Sequence, residues 1–155
     1  MRRLLVLLTM LLSWPGAAAE LKPFDADSLT RILAARPGRP LVVAFWAGNC
    51  APCRAELGLW SGWKRRHPGI DVLLVDVDPP EQQAEAARAL AGVPLAGLET
   101  WAFADAYVER LRWSVDPAWR GEVPRTHLYD ARHRLTVRAG GIAARELDRW
   151  AAAAK

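Results

Sequence analysis

The stretch WAGNCAPCRAEL, residues 46–57, contains both cysteines of the 155-residue chain, Cys50 and Cys53, with Ala51 and Pro52 between them. Such a pair is a structural staple, half of a metal site, or a redox couple. A staple that closes so short a loop removes little entropy from the unfolded chain. A structural zinc site needs about four ligands, and His67, His127 and His133 have no ligand spacing to the pair. Placement in the chain favours the redox couple.

The residues on either side supply that placement. Leu41 to Trp46 is an unbroken apolar run bounded by Pro40 and by Gly48-Asn49, the pattern of a strand buried on both faces. A helix is expected from about Ala51 to His67, with Pro52 in its first turn, where a missing N–H costs nothing. Cys50 then stands at the helix N-cap and Cys53 one turn further in. Free N–H groups and the helix dipole stabilise a thiolate there, so Cys50 is expected to have a lowered pKa and to attack. Cys53 is expected to point inward and resolve the mixed disulfide.

Further along, Ile70 to Val77 reads as a second buried strand closed by Asp78-Pro79-Pro80, and Glu81 to Ala91 as a helix. A short strand over 100–104 and a helix from Ala106 to Trp113, capped by Asp105, follow. Arg125 to Tyr129 and Leu135 to Arg138 form a hairpin about residues 130–132. The last helix has Ile142, Leu147, Trp150, Ala151 and Ala154 along one stripe. Before all of these, Ser28 to Ala35 reads as a helix with Asp25 or Asp27 as N-cap, and Leu21 to Asp27 as an irregular lead-in. Strands alternating with helices and ending in a hairpin predict an α/β fold: a central mixed β-sheet flanked by helices on both faces.

The N-terminus reads as an address. Arg2 and Arg3 precede the uncharged apolar run Leu4 to Ser13, and Ala17-Ala18-Ala19 matches a small-residue cleavage site before Glu20. Residues 1–19 are therefore expected to be a signal peptide and 20–155 the exported, folded domain, with an uncleaved membrane anchor as the alternative. The run is shorter than the roughly 20 residues of a spanning helix, and no cysteine follows it to carry a lipid. Removing this segment takes away two arginines and leaves a net charge of +2, which gives no argument for a nucleic-acid partner. Most of the tryptophans, Trp119 among them, are expected in the core.

FWAGNCAPCRAEL, residues 45–57, resembles the active-site segment of the thioredoxin superfamily. It is more narrowly similar to the TlpA/ResA-like exported thiol–disulfide oxidoreductases. GEVPRTHLYD, residues 121–130, resembles the loop in which a hydrophobic residue precedes a cis-proline and a strand. The resemblance implies a thioredoxin-like fold, a redox-active Cys50–Cys53 disulfide with no other cofactor, Pro124 as the cis-proline, and Val123 as the residue whose backbone pairs with a client. It implies that Trp46 lies beside the disulfide against the client. It also implies a monomer that reduces periplasmic client proteins, with cytochrome c maturation and copper-site assembly as client classes, and is recharged by a membrane-embedded electron donor. A disulfide-introducing oxidase and a Cu(I)-binding chaperone are the alternative readings. Ala44 stands where thioredoxins carry a buried aspartate, so no acid is expected beneath the pair on the strand side. The ResA-like branch has a glutamate at the position of Glu56, which becomes the candidate proton acceptor for Cys53. Gly58 replaces a helix-kinking proline, Asn49 replaces a common tryptophan or serine, and residues 92–121 match poorly.

Overall fold

The apolar runs of residues 41–46 and 71–76 lie side by side at the centre of one sheet. The computed structural model describes residues 21–155, so the expected signal peptide lies outside the described residues. Six strands form: β1 (Lys22–Phe24), β2 (Leu41–Trp46), β3 (Asp71–Asp76), β4 (Leu98–Phe103), β5 (Arg125–Tyr129) and β6 (Leu135–Ala139). Their spatial order is β1-β4-β3-β2-β5-β6. β1, β4, β3 and β2 run parallel, while β5 and β6 add antiparallel pairings. The sheet is mixed, as expected.

Five helices cover it: α1 (Ser28–Ala34), α2 (Ala51–Arg66), α3 (Gln83–Leu90), α4 (Val108–Val115) and α5 (Ala144–Ala153). Every residue of β2 is buried, because helices cover both faces and strands flank both edges; hence its unbroken apolar run. Alternation along the strand sends Val42, Ala44 and Trp46 into a core shared with Cys53, Leu57, Trp60 and Trp63 of α2, Ala86 of α3 and Leu147 of α5. Leu41, Val43 and Phe45 enter the opposite core, with Leu29 and Ile32 of α1, Leu111 of α4 and Trp119. Among the described residues no helix is long and apolar enough to cross a membrane.

Several local expectations change. Leu21 to Asp27 is not wholly irregular: Lys22–Phe24 pairs with β4 as an edge strand. Three residues are too few for a readable period, and Pro23 is tolerated only because the strand is at the sheet's edge. Asp27 takes the N-cap position of α1 without a side-chain bond. Asp25 instead accepts from the Ser28 hydroxyl and the Asp27 amide. Asp105 accepts the Tyr107 amide at 2.8 Å and turns the chain ahead of α4, which starts two residues later than expected. The helix expected over 81–91 opens as a 3₁₀ turn, Pro80–Gln82, before α3.

Candidate active site

Where β2 ends, the chain turns through a hydrogen bond from Cys50 N to the Ala47 carbonyl, 3.1 Å long. Cys50 is the N-cap of α2, with extended backbone angles, and its Sγ accepts the Cys53 amide at 3.2 Å. That N–H is one of the helix-start donors left without a backbone acceptor, and a donor aimed at a sulfur favours its thiolate form. The two cysteines are joined in a disulfide, with Cα atoms 5.2 Å apart. Cys53 is only 1% exposed, whereas Cys50 stays partly open. The order expected at the helix start, an accessible sulfur followed by a buried one, is present.

Val123 comes from the far side of the site. The Val123–Pro124 peptide is cis, and the Val123 carbonyl oxygen lies 3.8 Å from Cys50 Sγ. A disulfide sulfur has no hydrogen to donate, so in the oxidised protein this is a contact. Cys50 and Val123 both touch the two cores, at the seam where the sheet ends. Trp46 is placed differently from its expected role. It is 3% exposed and packs in the α2-side core with Cys53 and Leu57, so it forms a floor beneath the pair and offers a client no surface.

Glu56 sits in the second turn of α2, half-buried. Its Oε1 accepts the Ile142 amide at 2.8 Å, tying the redox helix to the loop that enters α5. Burial raises its pKa above the ordinary carboxylate range, and the Ile142 bond opposes part of that rise. Gly141 makes room for it: a Cβ there would stand 2.8 Å from Glu56 Oε1.

The expectation of no acid on the strand side is wrong. Asp76, the last residue of β3, is fully buried and pairs in register with Trp46. Asp78, two residues on, accepts the Gly48 amide at 2.7 Å. Arg54 donates to the Gly48 carbonyl at 2.8 Å, so both peptide groups flanking this loop glycine are held. Asp76 already falls inside the buried strand read over Ile70 to Val77, but the expectation rests on Ala44 alone, the position matched to the buried aspartate of thioredoxins. The signal that marks it is an aspartate inside a run whose other members are buried on both faces.

A second buried network follows Pro124. Arg125 pairs with Asp116 and Glu122, and only 7% of its side chain is exposed. Its Nε donates to His127 Nε2 at 3.0 Å, and its guanidinium lies 5.4 Å from the Trp119 ring centroid. Burial, followed by the Arg125 charge, lowers His127 to about 4, which leaves the imidazole neutral and able to accept. Trp119 donates from Nε1 to the Glu122 carbonyl at 3.0 Å and is 5% exposed, a core residue. The loop from Asp116 to Val123 is thus anchored from beneath.

No protein-family model matches the chain. The thiol:disulfide interchange protein HelX of Rhodobacter capsulatus is 31% identical over 134 residues, covering 86% of this chain and 70% of HelX. The chain belongs to the thiol–disulfide interchange proteins of the thioredoxin superfamily. Solved structures show the same fold. DsbF of Mycobacterium tuberculosis, seen in mixed oxidised and reduced forms, superposes with a TM-score of 0.64 at 21% identity, covering 78% of this chain and 84% of DsbF. A secreted disulfide oxidoreductase of the same organism, homologous to E. coli DsbE, superposes with a TM-score of 0.61 at 20% identity, covering 77% and 85%. As a thiol–disulfide interchange protein, the chain is an oxidoreductase whose disulfide and dithiol states differ by two electrons and two protons.

Proposed function

We propose that this oxidoreductase is exported through residues 1–19 and reduces disulfides of periplasmic client proteins, with a membrane-embedded donor restoring the dithiol. The observation that carries the reading is the pairing of a partly exposed Cys50 Sγ at a helix N-cap with the Val123 carbonyl, 3.8 Å away. An attacking thiolate and the Val123 backbone, just ahead of β5, are then presented to one extended client segment. The secreted relative from Mycobacterium tuberculosis supports export.

In the first step the Cys50 thiolate attacks one client sulfur. A Cys50–client disulfide forms, the client S–S bond breaks, and the departing thiolate takes a proton from water. Cys53 then loses its proton to Glu56 and attacks Cys50 Sγ. The Cys50–Cys53 disulfide forms and the second client thiolate leaves, to be protonated in turn. The protein loses two electrons and the client gains them. Pro124 and Val123 hold the client backbone in line for both steps.

Trapping tests the assignment. Cys53→Ser should accumulate a mixed disulfide with a reducible protein such as insulin, and Cys50→Ser should accumulate none. Capture through Cys53 instead would reverse the roles. A wild-type dithiol that leaves the insulin disulfides intact would overturn the reductase reading. N-terminal sequencing of the periplasmic protein should begin at Glu20.

A further inference from the structure

Asp76 is an unusual residue to find where it stands. Along β3, alternation puts Val72, Leu74 and Asp76 on one face of the sheet, and the first two belong to the core that holds Cys53, Leu57 and Trp46. Its register neighbours are Trp46 on β2 and Ala102 on β4, and neither brings a charge. Asp76 Oδ1 accepts the Asp78 amide at 3.2 Å. Oδ2 is buried with no hydrogen-bond partner among the described residues, as is Trp46 Nε1 on the adjoining strand.

The charged groups on the surrounding elements are engaged elsewhere or open to water. On α2, Arg54 is bonded to the Gly48 carbonyl and Glu56 to the Ile142 amide. On α3, Glu85 and Arg88 are exposed, and Gln83 donates to the Phe103 carbonyl at 2.6 Å. Beyond β4, Asp105 pairs with Arg110. The charge that acts on Asp76 is the Asp78 carboxylate, of like sign. Two neighbouring carboxylates with no cation do not both ionise readily in such a place. Asp78 accepts the Gly48 amide at 2.7 Å, whereas one oxygen of Asp76 has no partner among the described residues.

Gly48 has no freedom to move away from that grip. A Cβ at this position would stand 2.6 Å from Ala86 N and 2.9 Å from the Glu85 carbonyl carbon. The loop is therefore pressed against the backbone of α3 while Asp78 holds its amide. Cys50 follows two residues later.

We propose that Asp76 and Asp78 are a positioning pair for the redox centre: Asp78 fixes the loop through Gly48, and the proton on Asp76 sets how much negative charge lies on the core side of the Cys50–Cys53 pair. The proposal rests on the reading of Cys50–Cys53 as the working couple, but not on the direction of electron flow. When Asp76 is protonated, a Cys50 thiolate forms without a second buried anion on that face. When Asp76 ionises, the added charge opposes the thiolate. By reciprocity, the thiolate opposes ionisation of Asp76, so its proton affinity must differ between the dithiol and the disulfide. Burial and Asp78 together raise Asp76 to about 8, which puts the exchange within reach of ordinary titration.

The test is the reduction potential from pH 6 to 10, set by equilibration with glutathione, for the wild type, Asp76→Asn and Asp78→Asn. The wild type should show an inflection near pH 8 that Asp76→Asn lacks, while Asp78→Asn should shift the inflection downward by removing the like charge. Superimposable curves for the wild type and Asp76→Asn would overturn the proposal. If Asp76→Asn fails to fold, carbon-13 NMR of the wild-type Asp76 carboxyl decides. Its midpoint should be higher in the dithiol than in the disulfide, and equal midpoints overturn the pairing. Failure of the reductase reading would look different: insulin left unreduced, with the inflection still present.

Discussion

The carbonyl oxygen of Val123 stands 3.8 Å from Cys50 Sγ, although the two residues are 73 positions apart in the chain. Sheet topology closes that distance. β5 runs antiparallel to β2, with Phe45 opposite Arg125, so the residues entering β5 arrive beside those leaving β2. In the proposed function a client bound through Cys50 passes along the Val123 backbone. In a mixed disulfide between Cys53→Ser and a cysteine-containing peptide, hydrogen exchange at the Val123 amide should slow by roughly tenfold or more, as a new strand-type bond protects it. Unchanged exchange would show that the client binds elsewhere.

Glu56 has two separable duties. Its bond to Ile142 is structural, and in the proposed function its raised proton affinity serves Cys53. Glu56→Gln keeps an oxygen acceptor, so its circular dichroism and melting should match the wild type closely. Glu56→Ala leaves the Ile142 amide unpaired and should cost about 1–3 kcal/mol. Burial favours the neutral acid, so any stability linked to Glu56 is present below the ordinary carboxylate range and is lost as pH rises through its raised value. The pH profile of insulin reduction should change shape in Glu56→Gln. Profiles that superimpose would make Glu56 a purely structural residue.

Asp76 has a clear sign in a stability measurement. Its folded value, about 8, lies above the ordinary 3.8. The folded protein therefore binds the proton more tightly than the unfolded chain. The associated stability is complete below about pH 4 and declines as pH rises toward 8. Asp76→Asn removes this decline. At pH 8 and above the variant should be more stable than the wild type by at least about 1 kcal/mol in urea unfolding, and its stability should be nearly flat over that window. A variant that parallels the wild type from pH 4 to 8 would mean that Asp76 is ionised throughout.

Arg125 holds the loop before Val123 by ion pairs to Asp116 and Glu122, with its own side chain nearly sealed from water. Arg125→Met keeps the buried stem and leaves both acids near the surface, where water compensates them. The loss should be about 1–3 kcal/mol, below that of a fully buried pair. Insulin reduction should weaken more than reaction with a small aromatic disulfide, because the small substrate needs no ordered Val123 backbone. Equal losses for both substrates would place the effect in the cysteines.

The redox pair and the alternation of strands and helices were legible because each is written locally. An apolar run of strand length, a proline in the next helical turn and two cysteines three positions apart are short-range features that stay readable without the fold. Lys22–Phe24 was not legible, since three residues carry no period and only β4 supplies their partner. That Trp46 packs under the pair and offers a client no surface was decided by which helices cover that face of the sheet. The strand read over Ile70 to Val77 already includes Asp76, but that its carboxyl faces the core of Trp46 and Cys53 with no cation beside it depends on packing. Likewise, Glu56 meets Ile142, and Arg125 meets Asp116, across 86 and 9 positions. Propensity and periodicity act over a few residues, whereas desolvation and ion pairing depend on what the folded chain brings near. The chain's local pattern therefore specified the cysteine pair and its helix, and tertiary packing specified the acids that surround them.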